Sequence, residues 1–143
     1  MSRKIFVPTI ILLCFVVVVG GALTHGWQDN DKPSSIVRNY YELALQGEIE
    51  KALSLWTEGN THAEPVNGKD VHKEGTQLIY DMKAQIVAIE SEKIVGEKAK
   101  VIVKVKYSEK FTDKEVYILI KRNGEWKINS HSGVAFEEAF PSI

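Results

Sequence analysis

The side chains best suited to holding a small molecule are Tyr40, Trp56, Tyr80, Tyr107, Tyr117 and Trp126. Each joins an apolar body to a polar tip, a combination that suits a ligand pocket and a filled core alike. Proton transfer asks for more: an Asp, Glu or His on a pocket wall, assisted by a tyrosine hydroxyl. The four histidines are His25, His62, His72 and His131. His25 falls in a polar linker, and His131, between Ser130 and Ser132, could sit at the rim of a pocket, though the end of a surface strand is the simpler reading. His62 and Glu64 are close in a loop, but no third residue stands at a recognisable spacing, and zinc asks for three or four ligands. Asp70 and Asp81 fall at the two ends of a helix, where capping or solvation accounts for them. The residues spell out no catalytic set, no metal site and no cofactor motif. Lys98, Lys100, Lys104 and Lys106 alternate along one strand and so share a face. Such a row could meet anionic lipid headgroups or an anionic wall polymer. A solvated face whose lysines discourage edge pairing is the simpler account, because Glu109, Asp113 and Glu115 nearby offset the charge locally.

These residues must be positioned by elements the sequence also marks. Ile36, Val37, Tyr40, Leu43 and Ala44 repeat with helical period after a cap at Ser34 or Ser35, and Gly47 stops that helix. Ile49, Ala52, Leu53 and Trp56 give a second, short helix. The stretch from Thr57 to Lys69 is broken by Gly59, Pro65 and Gly68, with room for a short strand over 63–66. Asp70 caps a third helix, with Val71, Leu78, Ile79 and Met82 on one face. After Lys83 the period changes to alternation. Ile86, Val87 and Ile89 begin a strand that runs to about Val95, and Gly96-Glu97 turns it. Ala99, Val101, Val103, Val105 and Tyr107 then line one face of a long strand. Val116, Ile118 and Ile120 form the next apolar row. Asn123-Gly124 is a tight-hairpin signal, and Trp126 and Ile128 follow it. Helices first and an antiparallel meander after them make an α+β domain.

The N-terminus gives an address. Residues 5–23, IFVPTIILLCFVVVVGGAL, carry no charge. As a helix they reach about 28 Å at about 1.5 Å per residue, close to a bilayer core. Arg3 and Lys4 precede them, which predicts a cytoplasmic N-terminus and an extracytoplasmic remainder. A cleaved signal ending near Ala22 and a lipoprotein cysteine at Cys14 are the competing readings. The long apolar run favours the anchor over the signal, and Leu13 before Cys14 disfavours the lipid. The organisation expected is an anchor or signal over 1–24, a linker over 25–33 and a domain over 34–143. Cys14 is the only cysteine, so no disulfide staples the domain. The chain is net −1. Arg3 and Lys4 are its only charges before Thr24, so the remainder is net −3, against a nucleic-acid partner.

The segment YYELALQGEIEKALSLW, then a loop, a helix and a meander ending in NGEWKI, resembles the nuclear-transport-factor-2-like superfamily over about Ser34 to Ser132. That resemblance implies a cone fold, in which three helices pack on a curved antiparallel sheet and any pocket lies between them. Ketosteroid isomerase uses this fold, as do many exported bacterial domains of unknown function. Enzymes, ligand binders and structural subunits all occur in it, so the resemblance fixes no function. Enzymes of this kind need an acid or base in the cup. The row expected to face the helices is Val101, Val103, Val105, Val116, Ile118 and Ile120, with no acid among them. The expectation is therefore a non-catalytic domain on a single-pass membrane anchor, acting through another envelope protein, without cofactor, and with a homodimer open. A small-molecule binder using the aromatic residues is the alternative. An enzyme of the isomerase or dehydratase type is the second, and it requires a buried carboxylate or histidine within reach of a tyrosine hydroxyl.

Overall fold

A computed structural model describes residues 31–57 and 70–139, with 141 and 143. The expected anchor, most of the linker and the strand expected over 63–66 lie outside the described residues. No described helix is long and apolar enough to cross a membrane.

Helix α1 spans Pro33–Leu45. Its N-cap is Lys32 with no side-chain cap, so neither Ser34 nor Ser35 serves as expected. Pro33 begins the helix instead, because its fixed φ suits the first turn and its missing N–H is no loss there. The Ser34 N–H is taken by Glu92 Oε2 at 2.7 Å. At the other end Gly47 adopts φ 77°, and the Gly47 and Glu48 N–H groups return to the carbonyls of Ala44 and Leu43. That is the Schellman stop the glycine promised. Helix α2 (Ile49–Leu53) follows directly. Helix α3 (Val71–Met82) is capped by Asp70, whose Oδ1 accepts from the Lys73 N–H at 3.0 Å.

The sheet is a four-stranded antiparallel meander of β1 (Gln85–Val95), β2 (Lys98–Ser108), β3 (Phe111–Arg122) and β4 (Glu125–Gly133), in that order. Asn123 and Gly124 both take positive φ, 51° and 84°, as a tight β3–β4 turn requires. Two irregularities on β1, around Val87 and Glu90, and one on β4, at Asn129, bend the strands. Helices α1 and α3 pack on the bent sheet and α2 packs against those two helices, an arrangement that fits the cone fold. Val37, Ala44, Val101, Val103, Leu119 and Ile128 are fully enclosed between the layers.

Two further expectations are corrected. On α3 only Thr76 and Ile79 are buried, while Val71, Leu78 and Met82 are about half exposed, because Thr76 and not the apolar stripe turns toward α1. On β3 the row facing the helices is Glu115, Tyr117 and Leu119, not Val116, Ile118 and Ile120. Pairing decides this. Val103 lies opposite Glu115, Val101 opposite Tyr117 and Ala99 opposite Leu119, and partners across a ladder share a face. Val116 and Ile118 are buried too, but on the outer face, beneath a short helix α4 (Val134–Ala139) that the sequence did not announce. Lys100, on that outer face, ties α4 down through Glu137 Oε1 at 3.0 Å. Both faces of β3 are covered, so both of its rows are buried, and apolarity could not say which one faced the cup.

Candidate functional site

Glu115 sits in the cup wall, 7% exposed. Three donors converge on its Oε2: the Tyr41 hydroxyl at 2.9 Å, the Tyr117 hydroxyl at 3.1 Å and His131 Nε2 at 2.8 Å. Oε1 takes part in none of these bonds. A carboxylate only accepts, so Nε2 must be the protonated nitrogen of His131. The two tyrosine oxygens are 3.0 Å apart. Their two protons serve three contacts, so one side of that triangle is always without a proton. A second chain of bonds runs beside it. Thr76 Oγ1 donates to the His72 carbonyl at 2.8 Å, so the Tyr40 hydroxyl donates to Thr76, at 2.9 Å.

Four elements place the members. Tyr40 and Tyr41 come from the core face of α1, Thr76 and His72 from α3, and Glu115 and Tyr117 from β3. His131 arrives by the bulge at Asn129. Before the bulge, Trp126 and Ile128 face inward; the extra residue reverses the alternation, so that His131 pairs with Tyr117 and faces inward as well. Its ring lies 4.8 Å from that of Tyr117. On the opposite wall the rings of Trp56 and His72 lie 4.4 Å apart. Trp56 Nε1 is buried without a hydrogen bond among the described residues.

Burial raises the Glu115 carboxyl, but the hydrogen bond and charge of His131 and the bonds from Tyr41 and Tyr117 outweigh it and hold it below the ordinary carboxylate range. The tyrosines move the other way. Burial pushes Tyr40 up to about 12, and Tyr41 and Tyr117 are raised further by burial and by the charge of Glu115. These phenols stay neutral in the folded protein, whereas in the unfolded chain they ionise near pH ~10. Stability from this source is therefore complete below pH ~10 and is lost as the pH rises beyond it. In an alkaline titration, phenolate absorbance from these three residues should appear together with loss of near-ultraviolet circular dichroism. Ionisation of all the tyrosines with the fold intact would show that the three are not enclosed.

A cavity of about 290 Å³ opens beside this cluster, lined by Tyr40, Tyr41, Trp56, Tyr107, Glu115, Tyr117 and His131, with Val71, His72, Gly75, Leu78 and Ile79 of α3 along its lip. A larger depression of about 520 Å³ around Ser54, Thr57, Arg122 and Lys127 holds no buried ionisable group. The chemistry lies in the smaller one. Four of the six expected aromatic residues, Tyr40, Trp56, Tyr107 and Tyr117, line it. Tyr80 is outside, beneath the Lys83 ammonium, and Trp126 is in the core, its Nε1 donating to the Asp31 carbonyl at 3.1 Å. The lysine row does share the outer face, but Lys100 is largely covered by α4 and Lys106 bonds to Glu109, leaving Lys98 and Lys104 exposed. Among the described residues, no three His, Cys, Asp or Glu side chains are grouped to hold a metal.

Sequence reasoning missed Glu115 and Tyr41, and it preferred a surface strand end for His131 over the rim of the cup where the structure puts it. A signal for Glu115 was present: Tyr117 cannot line the cup unless Glu115, two residues earlier on the same strand, faces it too. The bulge that turns His131 inward leaves no mark that periodicity can read.

No protein-family model matches the sequence, and no curated protein matches it. Among solved structures, a SEC-C motif containing protein from Rhodopseudomonas palustris superposes with a TM-score of 0.55 at 10% identity, covering 73% of this chain and 80% of that one. A protein from Campylobacter jejuni described as a putative NTF2-like transpeptidase gives 0.49 at 16% identity, covering 68% of this chain and 97% of that one. The first likeness speaks to the fold alone. The second bears the name of the superfamily that the sequence resembles, at a TM-score too low to argue from.

Proposed function

We propose that this is a ligand-binding domain whose cup takes a small organic molecule, displayed on the outer side of a membrane by the apolar segment 5–23. The observation behind it is the ionised Glu115 buried at a cavity wall with three donors on one oxygen. A carboxylate enclosed this way is costly to desolvate, and apolar residues would fill the same space at least as stably. Perturbed ionisable groups beside a cavity favour a functional reason. Gly75 offers a direct test. It lines the lip, and a Cβ built there meets nothing within 4 Å. Gly75→Leu should stabilise α3 by about 0.5–1 kcal/mol through helix propensity while filling the entrance. Saturation-transfer NMR with small aromatic alcohols, ketones, acids and amines should find binders for the native chain and none for this variant. Equal binding by both chains, or none by the native one, would end the reading.

A second reading is proton transfer, of the isomerase or dehydratase type. It is favoured because a carboxylate, an imidazole and two phenols meet within hydrogen-bond distance beside a cavity. It replaces the expected apolar cup with one that holds an ionisable cluster. In deuterated water the native chain would speed exchange at the carbon next to the carbonyl of cyclohexanone, and Glu115→Gln would not. An envelope partner and a homodimer remain proposals of the sequence. Repeated recovery of the protein alone from detergent extracts would count against the partner.

A further inference from the structure

The ligand class can be narrowed by the charges and surfaces that line the cup. Among the described residues that line the cup, Glu115 is the only carboxylate, and none is a lysine or arginine that would balance a ligand anion. The bases that do line it are His72 and His131. His131 is committed to Glu115 Oε2 through Nε2, and His72 lies ring to ring with Trp56. The second carboxylate oxygen, Oε1, receives no bond from Tyr41, Tyr117 or His131. The rings of Tyr40, Trp56, Tyr107 and Tyr117 line the same cavity as Glu115, and their π-electrons attract cations. The lip is apolar, with Val71 and Leu78 each about half exposed. A carboxylate, electron-rich rings and an apolar rim make three demands of one ligand: a positive end, a body small enough for about 290 Å³, and hydrocarbon to cover the rim.

We infer that the cup binds a small organic cation, an amine or ammonium compound with an apolar body, whose charged end lies between Glu115 and the ring of Trp56 or a neighbouring tyrosine. This rests on the ligand-binding reading above and adds the charge of the ligand to it. Three probes of nearly one shape separate the two: benzylamine, benzyl alcohol and benzoate, titrated into the full chain and followed by tryptophan fluorescence and NMR. Benzylamine should bind at least about tenfold more tightly than benzyl alcohol, a factor within reach of one desolvated cation–π and carboxylate contact. Benzoate should not bind. Glu115→Gln preserves the shape of the side chain and should erase the preference for benzylamine over benzyl alcohol. Gly75→Leu should abolish both. If benzyl alcohol or benzoate binds as tightly as benzylamine, the cation class is wrong and the cup is still a binding site. If none of the three binds, and the wider set of alcohols, ketones and acids fails as well, the binding reading falls with it. Should Glu115→Gln unfold, the ratio of benzylamine to benzyl alcohol affinity in the native chain still decides the class.

Discussion

Replacing Trp126 by alanine should lower the unfolding free energy by about 3–5 kcal/mol, the usual cost of emptying the space of a buried large aromatic. The ring is 5% exposed and lies two residues after the Asn123-Gly124 turn, where β4 begins. Its Nε1–H donates to the Asp31 carbonyl at 3.1 Å, so one side chain joins the last strand of the sheet to the chain entering α1. Lys121 lies across the hairpin with Nζ 5.5 Å from the ring, sheltering its outer side. Alanine would leave a hole and an unpaired carbonyl at the seam between the two layers. A domain of this size has about 5–15 kcal/mol in total, so the variant should melt far below the native protein and can lose its fold at physiological temperature. Urea denaturation measures the effect. Trp126→Phe fills most of the volume but cannot donate, so it should recover most of the loss, less about 1 kcal/mol for the hydrogen bond. If alanine and the native residue give the same midpoint, Trp126 does not close the hairpin against the helices.

What the sequence disclosed and what it concealed follow from how far each signal reaches along the chain. Local signals were legible. Gly47 had to end α1 because the Schellman stop needs positive φ; Asp70 had to cap α3; Asn123-Gly124 had to turn the final hairpin. The meander and its order followed from alternation alone. Signals that depend on what covers a surface were not legible. The outer face of β3 is apolar because α4 lies on it, so Val116 and Ile118 looked as inward-facing as Tyr117 does, and Glu115 was assigned to solvent by default. The stripe on α3 looked like a core face, yet Val71 and Leu78 edge an open cavity. His131 is the clearest case. Its inward orientation depends on one extra residue, Asn129, and two-residue alternation carried through that point turns it outward. The aromatic residues of the cup could be found by type. Glu115 could have been placed through Tyr117, two residues on along the same strand, whereas His131 could not, because its register is fixed by the bulged pairing between strands.

The buried carboxylate makes the sharpest test of the site as a unit. Removing both hydroxyls, Tyr41→Phe with Tyr117→Phe, should cost about 3–5 kcal/mol at neutral pH, since hydrogen bonds to a charged group contribute about 1.5–3 kcal/mol each and neighbours in one network do not add fully. The sign of the pH dependence separates this from a loss of packing. In the native protein His131 and the two tyrosines keep Glu115 below the ordinary carboxylate range despite its burial. The stability it contributes is present above the unfolded carboxylate value, near pH ~4.3, and is lost as the pH falls through the lower folded value. Without the hydroxyls, burial prevails over what remains, the folded value rises, and protonation begins at a higher pH. The gap between native and variant should then be full at neutral pH and shrink as acid protonates Glu115 in both. A packing defect would leave the gap unchanged. Adding Glu115→Gln removes the charge that the hydroxyls serve, and on that background the two phenylalanines should cost only about 1 kcal/mol each, the value of neutral hydrogen bonds. An equal cost with Glu115 and with Gln at position 115 would show that the tyrosines are packing residues whose hydroxyls merely lie near a carboxylate, and the cup would then lose its claim to a preorganised charge.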